Sequence, residues 1–313
     1  MTLTPYLVRS RRIPNVMLTP GKIRGIDQLS TETGVIAVLA IDHRDSLRAV
    51  IGGDPSNEEL TRFKLDLITG VGSQASGVML EPELSLPQAL EAGALKGSQG
   101  FMAALEAQGY LQDPWSGPTQ MLEGWTALDA KKMGASAAKL LLAYSPERAD
   151  HAAQQQQVVT DTAAVCADLD LALLVEPVAF GMADHERPAV VLETVRQLTD
   201  LPIDILKVEF PGDPSKPDGW ADACKAVNAA ATKPWVLLSS GVTFEQYRDQ
   251  LAVAFENGCS GFTGGRAIWR PASDAAPEDR GEVIETVVHD RFAELRALAI
   301  AKAQPWRDAA ELS

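Results

Sequence analysis

The sequence predicts a single-domain (β/α)8 barrel of the α/β class, that is, a TIM barrel. Eight short apolar runs alternate with longer segments of helical periodicity, which is the pattern of βα units on a parallel sheet. No glycine-rich dinucleotide fingerprint follows the first run, so an open, doubly wound sheet is disfavoured. The chain has 313 residues, and a barrel of about 250 residues commonly forms one domain.

The predicted strands are short apolar runs, as expected for strands that are buried on both faces of a parallel sheet. The third run is the weakest. In chain order the strands span residues 35–42, 77–81, 100–105, 137–144, 172–177, 204–210, 235–239 and 259–264.

Segments of helical periodicity lie between these runs. The run Pro55-Ser56-Asn57-Glu58-Glu59 is a helix-start signal, and Gly258 is a helix-stop signal. The predicted helices span residues 58–71, 122–133, 154–169, 189–198, 220–231 and 243–257, with a last helix at 281–303. No linker divides the chain, so we expect an N-terminal extension at 1–25 and the barrel at 26–313.

Composition restricts the partners and the location. The formal net charge of −14 argues against nucleic acid or an anionic membrane as a partner, whereas a small anionic metabolite needs only a few local cations. No signal-peptide pattern and no run of about 18 apolar residues occurs. We expect a cytoplasmic homo-oligomer with reduced thiols at Cys166, Cys224 and Cys259.

Lys207 is unusual because it lies inside a predicted buried strand. Burying an ammonium group costs several kcal/mol unless the group is paired or loses its proton. One interpretation is a neutral amine that forms a Schiff base with a carbonyl substrate. The alternative is a structural ion pair of Lys207 with Asp204 or Glu209, which lie close in sequence.

Lys139, Glu176 and Lys207 fall on three successive predicted strands, so a barrel would bring them together in its mouth. A second ammonium disfavours protonation of a neighbouring amine, and a carboxylate can carry protons at the carbinolamine and enamine steps. The three residues are therefore candidate catalytic groups. The alternative is a buried Lys-Glu-Lys ion network without chemistry.

Two polar turns follow the seventh and eighth predicted strands. They are Ser239-Ser240-Gly241 and Gly264-Gly265-Arg266. Many barrels bind a phosphate at this place through backbone N–H groups, and Arg266 would add a charge-assisted contact. The alternative is a pair of ordinary βα turns.

The end of the first strand reads Asp42-His43-Arg44. Asp42 could orient substrate hydroxyls and Arg44 could hold a distal anion; a solvated turn with a charge pair is the alternative. After the second strand, Pro82 fixes a turn between Glu81 and Glu83, so we expect at least one of these two carboxylates on the surface.

Metal and cofactor motifs are not evident. The four histidines show no HxH or HExxH spacing, and only His43 lies at a strand end. No GxSxG, Walker A or GxGxxG motif stands in a suitable context. We expect neither a metal nor a cofactor.

Six segments in one order resemble the class I tagatose 1,6-bisphosphate aldolases and the related sulfofructose-phosphate aldolases. The resemblance covers residues 34–306, most of the chain. The segments are Ala40-Ile41-Asp42-His43-Arg44, Ala137-Ala138-Lys139-Leu140-Leu141-Leu142, Leu173-Leu174-Val175-Glu176, Asp204-Ile205-Leu206-Lys207-Val208-Glu209, Leu238-Ser239-Ser240-Gly241-Val242 and Gly265-Arg266-Ala267-Ile268-Trp269.

This resemblance implies a metal-independent lyase that cleaves a phosphorylated ketose into dihydroxyacetone phosphate and a three-carbon aldehyde. Lys207 would form the imine, and Lys139 and Glu176 would assist proton transfers. Asp42 would contact sugar hydroxyls. The groups that hold the phosphate of the dihydroxyacetone phosphate half would be Ser239, Gly241, Gly265 and Arg266.

The chain also departs from the pattern of that family. Family members carry Gln where this chain has His43, and the loop at residues 210–216 differs as well. These changes fall at the distal end of the substrate, so the C4 configuration and the choice of phosphate or sulfonate stay open. A sugar-phosphate isomerase or epimerase that uses Glu176 and Lys207, and a non-catalytic sugar-phosphate sensor, are the alternative functions.

Overall fold

Eight parallel strands form a closed barrel in the computed structural model, which describes residues 18–107 and 113–310. The strands follow one another around the barrel in chain order, and the pairing of the first with the eighth closes it. All eight predicted strands are confirmed, including the weak third one. They are β1 (Ile36–Ala40), β2 (Gly77–Leu80), β3 (Gly100–Ala104), β4 (Ala137–Ala143), β5 (Ala172–Val178), β6 (Ile205–Val208), β7 (Trp235–Leu238) and β8 (Gly261–Gly264).

Side chains alternate along each strand between the helical layer and the barrel interior. In β1, Ala37 and Leu39 join the core between strands and helices, whereas Val38 and Ala40 join the cluster inside the barrel. That inner cluster also takes residues from other strands, most of them from the first half of the strand, namely Met79, Met102, Ala137, Ala172, Leu174, Ile205 and Val236. Apolar side chains therefore fill the barrel toward the strand N-termini and leave the other end to polar groups.

Helices surround the barrel. They are α1 (Pro20–Gln28), α2 (Asp45–Ile51), α3 (Asn57–Val71), α4 (Leu86–Glu91), α5 (Ala127–Lys132), α6 (Ala149–Asp168), α7 (Arg187–Leu198), α8 (Trp220–Ala230), α9 (Phe244–Glu256), α10 (Arg266–Asp274), α11 (Arg280–Val283), α12 (His289–Lys302) and α13 (Trp306–Ala309). In the described ranges, no helix is both long and apolar enough to cross a membrane.

Several helix boundaries differ from the prediction. The helix predicted at 122–133 begins only at Ala127, because Gly124 takes a positive φ of 73° and Thr126 caps the helix by accepting from the amide of Asp129. A π-helical turn at Ile284–Val288 interrupts the helix predicted at 281–303. The short helices α1, α2, α4, α10 and α13 were not predicted, since segments of about ten residues or fewer carry little periodic signal.

Helix α1 covers the N-terminal end of the barrel. Its Ile26 lies in the inner apolar cluster, and Nζ of Lys22 lies 2.8 Å from Oδ2 of Asp204. Both side chains of this ion pair are buried. The helix spans the boundary predicted at residue 25, so the chain from Pro20 onward packs against the barrel.

Candidate active site

A cavity of about 300 Å³ lies at the C-terminal ends of the strands. This is the end at which barrel enzymes hold their active sites, because the βα loops converge there. Five of the residues predicted from the sequence line the cavity, namely Glu176, Lys207, Ser239, Gly265 and Arg266.

Lys207 points into the cavity from β6 and is only 4% exposed. Its Nζ lies 2.7 Å from Oε1 of Glu176, which extends from the neighbouring strand β5. The alternative pairing of Lys207 with Asp204 or Glu209 is wrong, because each of these carboxylates has another cationic partner.

Lys139 lies on β4 among three carboxylates. Its Nζ donates to Oδ2 of Asp42 at 2.8 Å and to Oε1 of Glu106 at 2.5 Å. The same nitrogen lies 3.1 Å from Oε2 of Glu176. Glu176 therefore bridges the two lysines, with one oxygen toward Lys139 and the other toward Lys207.

The charges in this cluster keep the carboxylates of Glu176 and Asp42 ionised. Burial alone would raise the pKa of the Glu176 carboxyl, but the positive charges of Lys207 and Lys139 outweigh burial and lower it. The pKa of Asp42 is lowered in the same way, with Lys139 as the strongest opposing charge to burial. A carboxylate that is ionised and in contact with an amine can accept a proton from it or from a bound substrate.

The turns after β7 and β8 form another wall of the site. Ser240 and Gly241 have positive φ angles of 46° and 75°, so the chain turns sharply. A Cβ atom at Gly241 would lie 3.2 Å from Cζ of Arg266, which shows that this turn and the guanidinium are adjacent. Helix α10 begins at Arg266, and the amide of Gly265 donates to Oγ of Ser239 at 3.4 Å. Amides at a helix N-terminus beside a guanidinium suit an anion such as phosphate.

The loop after β5 brings a second guanidinium to the cavity. Arg187 lines it, and its guanidinium lies 3.2 Å from Oε1 of Glu209 and 3.0 Å from Oδ1 of Asp184. The other oxygen of Glu209 accepts from the amide of Ala179 at 2.9 Å. Burial raises the pKa of the Glu209 carboxyl in spite of these contacts.

Three lining side chains carry a buried polar atom without a hydrogen-bond partner among the described residues. The atoms are Nδ1 of His43, Oγ of Ser46 and Oγ1 of Thr263. Thr263 is 1% exposed and extends inward from β8. Burial lowers the pKa of His43 to about 4 against the opposing charge of Asp42, so its ring is neutral at physiological pH. Unpaired buried groups are costly, and a bound polar ligand would satisfy them.

Arg44 does not reach the cavity. Its guanidinium lies 2.6 Å from Oε2 of Glu83 and donates to the carbonyl oxygen of Glu106 at 2.7 Å. The placement therefore does not support Arg44 as the group that holds a distal anion. Glu83 is half exposed, as expected for one carboxylate of this turn, whereas Glu81 is fully buried and paired with Lys64.

Sequence reasoning missed Glu106, Arg187 and Thr263. Glu106 follows the weak third strand by two residues, so its place at a strand end is the one signal in the sequence that points to it. Arg187 lies beyond a loop of eight residues after β5, and Thr263 is an ordinary polar residue inside a strand; neither has a motif signal. No group of three or more His, Cys, Asp or Glu within 18–107 and 113–310 is arranged to hold a metal ion.

The fold and the polar cluster in the barrel mouth define an α/β-barrel enzyme. More closely, the chain belongs to the DeoC/LacD family of aldolases, whose family model matches residues 36–271. Aldolases are lyases that break and form carbon–carbon bonds, and the resemblance drawn from the six sequence segments is confirmed at the level of the family.

Relatives of known name extend over nearly the whole chain. Tagatose 1,6-diphosphate aldolase of Lactococcus lactis subsp. lactis is 27% identical over 94% of this chain and 99% of its own length. Tagatose 1,6-diphosphate aldolase 2 of Enterococcus faecalis is 29% identical over 92% of this chain and 96% of its own length.

Solved structures share the fold at lower identity. Fructose-bisphosphate aldolase from Plasmodium falciparum superposes with a TM-score of 0.69 at 15% identity, over 92% of this chain and 97% of that one. An archaeal fructose 1,6-bisphosphate aldolase gives a TM-score of 0.62 at 17% identity, over 90% and 99%. At these identities the likeness concerns the barrel fold.

Proposed function

We propose that this chain is a class I aldolase that uses Lys207 to cleave a phosphorylated ketose into dihydroxyacetone phosphate and a three-carbon aldehyde. The observation that carries the proposal is the 2.7 Å contact between Nζ of Lys207 and Oε1 of Glu176 inside the cavity. This contact places a nucleophilic amine beside a carboxylate that can take protons from its nitrogen and return them.

The chemistry follows from these two groups. Glu176 takes a proton from the Lys207 ammonium, and the resulting neutral amine adds to the C2 carbonyl of the ketose. Glu176 returns the proton as water leaves the carbinolamine, which gives an iminium ion. Removal of the proton on the C4 hydroxyl breaks the C3–C4 bond, releases the aldehyde and moves the electron pair onto the iminium as an enamine. Protonation of C3 and addition of water then return the amine and dihydroxyacetone phosphate. Glu176 is the carboxylate in contact with Lys207 and is assigned these proton transfers.

The other walls of the cavity fit the two ends of such a substrate. Ser239, Gly241, Gly265 and Arg266 would hold the phosphate on C1, since they combine a helix N-terminus with a guanidinium. Asp42 would help to hold Lys139, because Oδ2 of Asp42 accepts a hydrogen bond from Nζ of Lys139. The relatives named tagatose 1,6-diphosphate aldolase favour tagatose 1,6-bisphosphate as the substrate. A sulfonated ketose phosphate stays the alternative substrate, but His43 does not favour it. A Cβ atom at Gly265 would lie 2.9 Å from Cε1 of His43, so this residue lies at the end assigned to the C1 phosphate and not at the distal end expected from the sequence.

A structural relative supports the imine step by analogy. One archaeal fructose-1,6-bisphosphate aldolase, 18% identical to this chain, has been solved with its catalytic Lys covalently bound to the carbinolamine intermediate of the substrate. We assign the corresponding chemistry here to Lys207 on the grounds of its burial and its contact with Glu176.

Release of dihydroxyacetone phosphate tests the proposal. Purified protein is mixed with tagatose 1,6-bisphosphate, and glycerol 3-phosphate dehydrogenase with NADH reports the product. We expect NADH consumption that depends on both protein and ketose. An isomerase or epimerase would change the ketose without consuming NADH, and a sensor would bind it without changing it; either result would contradict the proposal.

Location and assembly are further parts of the proposal. The three cysteines are free and buried, which supports a reducing compartment and hence the cytoplasm. Leu128 of α5 and Met133, which follows that helix, are 44% and 38% exposed, which is consistent with contact between copies of the chain. Light scattering during size-exclusion chromatography tests the homo-oligomer.

A further inference from the structure

Glu106 lies behind the catalytic cluster rather than in the cavity. It follows β3, is 2% exposed and does not line the cavity, so a substrate there would not touch it. Its Oε1 accepts from Lys139 at 2.5 Å, and its Oε2 accepts from the amide of Leu141 at 3.2 Å. Its carbonyl oxygen accepts from Arg44 at 2.7 Å. Glu106 is therefore fixed through its carboxylate and its backbone.

The surroundings of Lys139 explain what this fixed carboxylate does. An ammonium has three N–H donors, and Nζ of Lys139 has one carboxylate oxygen from each of three residues within 3.1 Å, from Asp42, Glu106 and Glu176. Loss of a proton from this nitrogen would remove the ammonium that Asp42 and Glu106 contact, whereas Glu176 would keep its contact with Lys207. Lys139 is therefore suited to stay charged and to hold Glu176, rather than to exchange protons with a substrate.

We infer that Glu106 is a positioning residue for the reaction: it holds the ammonium of Lys139 in place, which in turn orients Glu176 toward Lys207. This inference rests on the proposed function. With Oε2 of Glu176 held by Lys139, only Oε1 faces the reactive amine, so one carboxylate oxygen carries all the proton transfers. Lys139 then differs from the acid–base role that the sequence resemblance implies for it.

Replacing Glu106 by Gln tests this role, because Gln keeps the shape but removes the charge. We expect kcat to fall on the order of a hundredfold, since a misplaced catalytic group has an effect of that size. KM should change little, because Glu106 does not reach the cavity. The charged groups that face Glu106 are Lys139 and Arg44, with Asp42 and Glu176 beyond Lys139.

The pH profile separates positioning from a merely structural role. Removal of a negative charge makes every proton in the cluster easier to lose. The acid limb of the kcat/KM profile should therefore move to lower pH by on the order of one unit in Glu106→Gln. Glu106→Asp keeps the charge but shortens the reach, so its profile should stay in place while its kcat lies between those of the wild type and Glu106→Gln.

Asp204→Asn is the matched control. It makes the same change of charge in a buried ion pair, with Lys22, at the opposite end of the barrel. We expect it to lower the melting temperature and to leave kcat and the pH profile unchanged.

Two results would overturn the inference: wild-type kcat and pH profile in a folded Glu106→Gln, or effects no larger than those of Asp204→Asn. If Glu106→Gln does not fold, Glu106→Asp decides, and wild-type kcat in that variant would overturn the inference. If the wild type releases no dihydroxyacetone phosphate, the proposed function itself is wrong. This result distinguishes failure of the proposed function from failure of the inference about Glu106.

Discussion

One oxygen of Glu176 lies 2.7 Å from the amine of Lys207, and this contact crosses from β5 to β6 inside the barrel mouth. The two residues are buried, and the positive charge of Lys207 contributes to the lowered pKa of the Glu176 carboxyl. An ionised carboxylate at this distance can serve each proton transfer that an imine mechanism requires.

Glu176→Gln removes this base and keeps the shape of the side chain. We expect kcat to fall by about 10²- to 10⁴-fold, the usual effect of losing a general acid–base group. The dihydroxyacetone phosphate assay measures it. Glu209→Gln is the matched control, because it changes another buried carboxylate of the same cavity that does not contact Lys207. An equal loss in both variants would contradict the special role of Glu176.

Arg266→Ala tests the phosphate end of the cavity. Arg266 is half-buried, and a bound phosphate would cover the rest of its guanidinium. Truncating one partner of a charge pair that is buried in a complex commonly costs about 2–5 kcal/mol, so KM for the phosphorylated ketose should rise by at least about 30-fold. Borohydride trapping of dihydroxyacetone phosphate on Lys207 should weaken as well, because this product carries the phosphate that Arg266 would hold.

Arg187→Ala provides the comparison for Arg266. Arg187 is the first residue of α7 and lines the cavity from the β5 side, whereas Arg266 follows β8, so we assign Arg187 to the phosphate of the aldehyde half. We expect trapping of dihydroxyacetone phosphate to be unchanged in Arg187→Ala while KM for the whole ketose rises. A stronger loss of trapping in Arg187→Ala than in Arg266→Ala would reverse the assignment of the two ends.

Thr263→Val tests whether a bound ligand forms a hydrogen bond with the buried hydroxyl of Thr263 on β8. The two side chains have nearly the same shape, and Oγ1 of Thr263 has no partner among the described residues. If a substrate oxygen bonds to Oγ1, KM should rise by about five- to tenfold, which corresponds to one hydrogen bond of about 1 kcal/mol. Unchanged kinetics together with a higher melting temperature would show that the hydroxyl is unpaired in the complex too.

His43 makes the stability of the protein depend on pH. Its pKa of about 4 in the folded chain lies below its ordinary value of 6.5, because burial disfavours the charged ring. The unfolded chain therefore binds this proton more readily, so the contribution of His43 to stability is full above about pH 6.5 and is lost as pH falls toward 4.

His43→Gln removes this titration. Between pH 6.5 and 4 the wild type should lose up to about 3 kcal/mol more of its free energy of unfolding than the variant. Urea unfolding at several pH values measures the difference. Parallel curves for the two proteins would contradict the account of a buried, neutral imidazole.

The sequence predicted the barrel because buried parallel strands appear as continuous apolar runs, and a charged residue such as Lys207 is conspicuous within one. The same runs placed Lys139 and Glu176 on adjacent strands, and the structure brings all three together. Pairing between charges was not predictable in the same way. Arg44 turns to Glu83 instead of the cavity, because the direction of a side chain at a strand end depends on how the loops close around it.

Glu106 is a second residue whose position in the site could not be predicted from the sequence. The third strand contains two alanines and a glycine and carries the weakest signal of the eight, so the sequence does not single out Glu106, two residues beyond it. Its importance follows only from distances, since no motif links Glu106 to Lys139 across 33 positions of the chain.

The central claim is that Lys207 forms the imine, and chemical trapping tests it most directly. The protein is incubated with dihydroxyacetone phosphate and borohydride, which reduces a lysine imine to a stable secondary amine, and the adduct is mapped by peptide mass spectrometry. Lys207→Met, which should keep the fold and lose turnover by on the order of 10⁴-fold or more, is the control. We predict one adduct, on Lys207, that is absent from Lys207→Met. A folded wild type without an adduct, or with the adduct on another lysine, would contradict the mechanism.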